Sequence, residues 1–322
     1  MERPETRPQT RLDGLDLLRG LAAIVVLVMH IAGFKGGHLA VDFFFMLSGY
    51  VMARTYETRL RSGDVSSPKF MWMRVKRLWP VMAIGAVLGL NVALVAGGPS
   101  ADLGVAFIFA MLLLPAGAVT PYLLNLPAWS IFYELVANAV HATWLARLSD
   151  RAMIGVLGIC SALFIASFAV TGFPRILHET TITMQVAVIF RALVSYIMGV
   201  LAYRLLKDRA PFHIPVLAGC ALMVGYIVLV SVVQFPLWPV PFIFVVAPIA
   251  MISGLDPNAP QRISHVLGTM SFPLYAIHFP VIALCALAGF GPGTALLASL
   301  AVAALWLIPS RPVQWKRAAS AA

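Results

Sequence analysis

Long apolar stretches recur along nearly the whole chain, and they restrict its fold more than any other feature. The hydrocarbon core of a bilayer is about 30 Å thick, so a helix needs about 20 mostly apolar residues to cross it. Soluble domains carry roughly 25% charged residues, whereas this chain is 11% charged and 61% hydrophobic. The sequence therefore predicts an all-α, polytopic membrane protein, with candidate spans at 15–34, 39–56, 79–97, 101–119, 129–147, 152–172, 183–203, 213–233, 237–254, 263–285 and 288–309.

The charges that remain are mostly basic, and the 322-residue chain has a formal net charge of +10. An excess of Lys and Arg in a membrane protein collects in cytoplasmic loops, so we expect the lipid bilayer as a partner and no nucleic acid. Cys160, Cys220 and Cys285 lie in separate apolar stretches without metal-ligand spacing. We therefore expect no metal site and no permanently bound cofactor.

The basic residues also decide how often the chain crosses the membrane. If 101–119 were a full crossing, Arg147, Arg151 and the basic loop that follows position 203 would face outside, against the positive-inside rule. An irregular or re-entrant segment near 101–128, which contains three prolines, places all of them inside. We therefore expect about ten crossings, both termini in the cytoplasm, and a location in the bacterial inner membrane.

The domain organisation predicted from the sequence is a single membrane domain. Residues 1–13 form a short cytoplasmic tail, 14–312 the membrane-embedded domain and 313–322 a short basic cytoplasmic tail. The first tail is rich in arginine and lacks a small-residue cleavage site, so we interpret the first span as a retained helix.

Two ionisable residues share one face of the first span. Arg19 and His30 are eleven residues apart, which is close to three helical turns. An ionisable residue within the membrane is a functional candidate by default. Alternatively, Arg19 could snorkel at a helix end and His30 could form an interhelical hydrogen bond.

The next candidates lie where the second span begins and in the basic stretch before the third. Asp42 enters the membrane at a depth comparable with His30, where it could orient a histidine or cap its helix. Arg74 and Arg77 share a face if their stretch is helical, and guanidinium pairs suit phosphates. The same charges could instead signal topology or bind anionic lipids.

Two later motifs carry further polar groups on one helix face. Ser130 and Glu134 are four residues apart, and we place Glu134 in the outer half of the membrane. Ser271, Tyr275 and His278 follow at helical spacing between two prolines. The sequence thus predicts two layers, a basic inner mouth and an acid–base cluster deeper in, formed respectively by Arg19, Arg74 and Arg77 and by His30, Asp42, Glu134 and His278.

Five motifs carry these residues in a fixed order: LDGLDLLRGLAAIVVLVMH, AVDFFFMLSGYVMART, FMWMRVKRLWP, PAWSIFYEL and SFPLYAIHFP. Together they resemble the acyltransferase-3 family, bacterial membrane proteins that acylate hydroxyl groups of sugars and other acceptors. The chain departs from the family pattern at Ala40-Val41, where a glycine often precedes the aspartate, and at Ser310-Arg311-Pro312, where Glu-x-Pro is common. The resemblance implies an acyl-CoA donor, and we expect acetyl-CoA. It also implies functions for Arg19, His30, Arg74, Arg77, Glu134, Ser271 and His278.

The chemistry that we expect is acyl transfer by general-base catalysis. His30 would remove the proton of an acceptor hydroxyl, oriented by Glu134 or Asp42, because histidine gains and loses a proton near neutral pH. His278 would polarise the thioester or position the acceptor, which is a carbohydrate or another hydroxyl compound of the cell envelope. The remaining residues would hold the substrates: Arg74 and Arg77 the coenzyme A phosphates, Arg19 the entering donor, and Ser130, Ser271 and Tyr275 the bound donor or acceptor.

Two other classes of function account for buried polar residues. A proton-coupled transporter or flippase of an envelope precursor would need them, although no two-fold repeat of the kind found in many transporters is visible. A sensor or assembly protein would use them structurally. Substitution of His30 separates the three, because it would abolish turnover, flux or stability respectively.

Overall fold

The computed structural model describes residues 12–116, 121–171, 182–233 and 237–308, and these residues form helices and turns without a strand. The tail arginines and lysine, and the Ser310-Arg311-Pro312 motif, lie outside the described residues. The described helices are α1 Asp13–Ala32, α2 Leu39–Met52, α3 Ser67–Gly97, α4 Ala101–Met111, α5 Ala128–Thr143, α6 Asp150–Thr171, α7 Ile182–Leu206, α8 Val216–Val232, α9 Pro239–Ser253, α10 Gln261–Leu287 and α11 Pro292–Ala304.

Length and hydropathy confirm a polytopic membrane protein. Six helices are long and apolar enough to cross a bilayer, namely α1, α2 with its continuation to Arg61, α3, α6, α7 and α10. Four shorter apolar helices, α4, α8, α9 and α11, accompany them. The helices agree closely with the predicted spans, but α3 begins at Ser67 and not at 79. The basic stretch before position 79, which lies outside the predicted spans, is therefore helical. Ser66 has extended backbone, Pro68 occupies the first turn and Pro80 is accommodated within the helix.

Contacts between loops place the helix ends at two faces of the bundle. One face, which we call the basic end, joins the turns after α2 and α5 through a 2.6 Å hydrogen bond from Arg61 to the Ala146 carbonyl. The start of α8 joins the α9–α10 turn there through Asp256, which accepts a 3.1 Å hydrogen bond from the Val216 amide. At the opposite end, the Gly36 amide donates to Ser231 at the end of α8.

The described parts of the segment predicted to be irregular or re-entrant, 101–116 and 121–128, enter the bundle and run back toward the end from which α4 starts. Trp79 of α3 donates a 2.8 Å hydrogen bond to the carbonyl of Met111, where α4 ends. The chain then returns to Gly89, whose hydrogen faces the Leu124 carbonyl so closely that a Cβ would overlap it. Gly89 lies ten residues beyond Trp79, about 15 Å along the helix axis. Helix α5 therefore begins in the interior of the bundle and ends beside the start of α3, where Ser67 donates to the Ala142 carbonyl, so α4 and α5 together span the bundle once.

Helices α1 and α10 run side by side in the same direction. The hydrogen-bonded pair Arg19–Gly268 is separated by 249 positions and the pair His30–His278 by 248. This nearly constant register brings the LDGLDLLRG and SFPLYAIHFP motifs together along their whole length. Helix α3 packs on the same part of α10, where Gly85 allows a close approach to the Ala276 carbonyl.

Candidate functional site

A cavity of about 110 Å³ lies between α1, α2, α3, α5 and α10. One side of its wall is apolar and comes mainly from α2, through Val41, Phe44, Phe45, Leu47 and Val51. The cavity also brings together the residues predicted to hold the substrates and one predicted catalytic residue: Arg19, Arg74, Arg77, Ser130, Glu134, Ser271 and Tyr275.

Arg74 forms an ion pair with Glu134 inside this cavity. Its guanidinium donates a 2.7 Å hydrogen bond to Glu134, and the Ser48 hydroxyl donates a 2.8 Å hydrogen bond to the same carboxylate oxygen. The side chains of Arg74 and Glu134 are only 6% and 18% exposed. A charge at this depth requires a partner, so the pair fixes α3, α5 and α2 around the cavity.

Arg19 also has partners within the protein. Its guanidinium lies 3.0 Å from the Asp16 carboxylate one turn away and donates a 2.7 Å hydrogen bond to the Gly268 carbonyl on α10. Asp16 lies so close to Gly268 that a Cβ there would meet its carboxylate. Arg19 therefore contributes positive charge to the cavity while it holds α1 against α10.

Arg77 differs from the other two arginines of the cavity. It follows Arg74 by one turn of α3 and lines the cavity, yet no ion pair or hydrogen bond to its guanidinium is found among the described residues. A guanidinium presents five donors in a planar fork that matches phosphate oxygens. Arg77 is therefore the cation in this cavity that is free to bind an anionic ligand.

His30 and His278 form a hydrogen-bonded pair beyond the cavity. Nε2 of His278 lies 3.1 Å from Nδ1 of His30, and the ring centroids are 4.9 Å apart. His278 is fully buried, whereas His30 is only partly buried. Both rings lie outside the cavity lining.

Tyr275 connects the cavity with the histidine pair. Its hydroxyl is 2.6 Å from the Ser130 hydroxyl, and its ring packs edge-on against Phe44 and lies 6.0 Å from the His278 ring. Ser271 lies one turn earlier, and its hydroxyl donates to the Gly268 carbonyl. The polar face predicted for α10 therefore runs from the arginines to the histidines.

Asp42 lies outside the cavity lining and away from the histidine pair. Both of its carboxylate oxygens accept hydrogen bonds from Arg191 of α7, at 2.7 and 2.6 Å, and each side chain is 1% exposed. Sequence reasoning missed Arg191, although a lone arginine within the span 183–203 signals that a membrane carboxylate is needed as its partner. The pair ties α2 to α7 and leaves Asp42 no oxygen atom free of Arg191.

The arrangement of the carboxylates differs from the predicted acid–base layer. We expected Glu134 at the depth of His30, because α5 was predicted as a full span that starts at the membrane surface. Since α5 starts in the interior, Glu134 lies lower and meets Arg74. Among the described residues, no carboxylate forms a hydrogen bond with His30 or His278, so the orienting partner of His30 is a histidine.

The fold and the cavity define a polytopic membrane protein with an arginine-lined cavity and a buried polar track. The acyltransferase family model, Acyl_transf_3, matches residues 12–310, which is most of the chain. The chain therefore belongs to the acyltransferase-3 family and is a membrane-bound acyltransferase, as the motifs predicted.

Two relatives are similar to parts of the chain, and the name of the second agrees with this assignment. Protein 2 in the picA locus of Rhizobium radiobacter is 33% identical over 189 residues, which cover 50% of this chain and 97% of the relative. A Komagataeibacter xylinus protein provisionally named membrane-bound transacylase BcsY is 36% identical over 75 residues, 23% of this chain and 19% of the relative. No solved structure matches the chain.

Proposed function

We propose that the protein transfers an acyl group from cytoplasmic acyl-CoA to a hydroxyl group of a carbohydrate or another cell-envelope acceptor. The acyl group that we propose is acetyl. The observation that carries this proposal is the position of Arg77, which has no partner among the described residues, in a cavity that leads past Tyr275 to a histidine pair. Coenzyme A carries phosphates at one end and the thioester at the other. Arg77 would bind the phosphates while the thioester extends along the apolar wall from α2.

The direction of entry follows from the distribution of charge. Loops and helix ends at the basic end carry Arg59, Arg61, Lys69, Arg147, Arg151, Lys207, Arg209 and Arg262, whereas Lys35 lies at the opposite end. The positive-inside rule assigns such an end to the cytoplasm. Because α1 begins at this end, the proposed orientation also puts the N-terminus in the cytoplasm. The donor would then reach Arg77 from the compartment in which acyl-CoA is made.

The proposed reaction is direct transfer with His30 as general base. His30 takes the proton from the acceptor hydroxyl as its oxygen attacks the thioester carbonyl carbon. A carbon–oxygen bond forms, the carbon–sulfur bond breaks, and the leaving thiolate takes the proton from His30, which yields an ester and free coenzyme A. The hydroxyl groups of Tyr275 and Ser130 would donate to the oxyanion that develops on the way.

The test is acceptor-dependent release of coenzyme A by the protein in nanodiscs. Acetyl-CoA is supplied with a panel of sugar acceptors, and His30→Ala is assayed beside the wild type. We expect release by the wild type and a loss of about 10²–10⁴-fold in the variant, the contribution typical of a positioned base, with acetyl-CoA binding retained by calorimetry. Absence of both donor binding and release would refute the proposal and favour a transporter, for which flux across vesicles would be measured instead.

A further inference from the structure

The hydrogen bonds around His278 determine which of its ring nitrogens carries a proton. Nδ1 lies 3.0 Å from the Leu274 carbonyl oxygen and 2.9 Å from the Tyr275 carbonyl oxygen. A carbonyl oxygen can only accept a hydrogen bond, so Nδ1 must be protonated. In the neutral ring, Nε2 then presents a lone pair, and this lone pair faces His30.

The position of the proton on His30 follows from its two neighbours, the Val26 carbonyl and His278. Nδ1 of His30 lies 2.9 Å from the Val26 carbonyl oxygen and 3.1 Å from Nε2 of His278, so it faces two acceptors. It therefore carries the proton, and Nε2 of His30 keeps the lone pair. Among the described residues this Nε2 has no hydrogen-bond partner, and it is not sealed inside the protein.

We propose that His278 is a positioning residue of the active site, because together with the Val26 carbonyl it holds the His30 ring in the Nδ1–H tautomer, with Nε2 free to receive the acceptor's proton. This inference rests on the proposed function of His30 as the base. His278 does not touch the substrate and acts through His30. His278 thus has the orienting function that was predicted for a carboxylate, Glu134 or Asp42.

A neutral imidazole suits this position better than a carboxylate. In serine hydrolases, an aspartate holds the catalytic histidine in the correct tautomer and stabilises the imidazolium that forms. A buried carboxylate far from water carries a desolvation penalty of several kcal/mol, and His278 is fully buried between helices. Its lone pair accepts the Nδ1–H of His30 both before and after His30 gains a proton at Nε2. The histidine pair can therefore hold the tautomer of His30 and stabilise its protonated form without a permanent charge.

Two substitutions of similar size separate positioning from packing. In His278→Gln, the side-chain oxygen reaches the place of Nε2 and can accept from His30. In His278→Asn, the amide reaches only the place of Nδ1, so it keeps the bonds to Leu274 and Tyr275 but leaves His30 without this partner. We expect His278→Asn to lower kcat by about 100-fold, as for other displaced catalytic groups, and His278→Gln to stay within about 10-fold of the wild type. KM for acetyl-CoA should not change in either variant.

A result in which both variants keep wild-type kcat, or in which His278→Asn is more active than His278→Gln, would overturn the inference. If either variant fails to fold, a measurement on the wild-type protein tests the inference. Nitrogen-15 chemical shifts of His30, assigned with His30→Gln, should show a protonated Nδ1 and an unprotonated Nε2 in the neutral ring. The reverse tautomer contradicts the inference. Because these shifts need no substrate, they test the assigned tautomer of His30 even if no acceptor supports turnover and the proposed function itself fails.

Discussion

At the scale of single residues, Arg74 and Arg77 show that two arginines of one motif can have different functions. Their spacing predicts a shared face, and both line the cavity. Only the tertiary structure shows that Arg74 is bound to Glu134, while Arg77 has no partner among the described residues. The same holds for Asp42 and His30, whose partners Arg191 and His278 are 149 and 248 positions away. The sequence identifies residues that need partners, but the register between helices decides which partner each receives.

Substitution of Arg77 should impair donor binding and spare the fold. We expect Arg77→Ala to raise KM for acetyl-CoA by about tenfold or more, since a charge-assisted hydrogen bond contributes roughly 1.5–3 kcal/mol. The thermal midpoint should stay within a few degrees, because no described residue loses a hydrogen bond or ion pair. Steady-state kinetics and thermal unfolding in detergent measure the two effects. Arg77→Lys is the matched control and should recover part of the affinity; an unchanged KM in both variants contradicts this role.

Substitution of Arg74 should instead destabilise the protein. Arg74→Ala leaves Glu134 buried with only the Ser48 hydroxyl as partner, and breaking a buried pair in this way costs about 3–5 kcal/mol. Glu134→Gln removes the charge of the other partner. The double variant should lose less stability than the sum of the two single variants, because the second substitution removes a charge that is already unpaired. Thermal unfolding of all four proteins completes the cycle, and strict additivity would show that the pair contributes no coupling.

At the scale of helices, the sequence predicts the existence of each element better than its ends. A span of about 20 apolar residues is a local property, so all candidate spans correspond to helices. Hydropathy starts the third span at 79, twelve residues after the start of α3 at Ser67, because the charged residues between them do not look like a membrane span. The start of α5 was predicted at the membrane surface because its burial depends on where α4 and 112–127 fold. The depth of Glu134, and with it the separation of the site into an arginine region and a histidine pair, could not be obtained without that interior start.

Docking of the re-entrant segment against α3 depends on Gly89. A Cβ at this position would overlap the Leu124 carbonyl, and overpacking of this kind typically costs about 1–3 kcal/mol. We expect Gly89→Ala to lower the thermal midpoint and kcat together, because Leu124 precedes the start of α5 and hence Ser130. Gly104→Ala in α4 is the control, since nothing lies within 4 Å of its added Cβ. This control should be neutral or stabilising by up to about 1 kcal/mol, and equal effects of the two substitutions would contradict the docking argument.

At the scale of the whole molecule, the half-crossing of α4 determines the side on which every later loop lies. With α4 and α5 as one crossing, the turns before α3 and after α5 are on the same side, and the turn between α3 and α4 is on the other. The hydrogen bond from Ser67 to the Ala142 carbonyl joins the first two of these regions directly. The basic loops then share one face, and Arg77 lies in the half of α3 that is nearer to that face.

Labelling of single cysteines tests this topology in the membrane. In a background without the three native cysteines, we would introduce Ser66→Cys, Gly97→Cys and Ser149→Cys, all at exposed positions. An impermeant maleimide added to intact cells should label only Gly97→Cys, whereas the other two should react only after lysis, because the positive-inside rule places their loops in the cytoplasm. If α4 and α5 were two full crossings, Ser149→Cys would instead react together with Gly97→Cys. That outcome would place Ala142, at the end of α5, on the opposite side of the membrane from Ser67, which the 2.7 Å hydrogen bond between them does not allow.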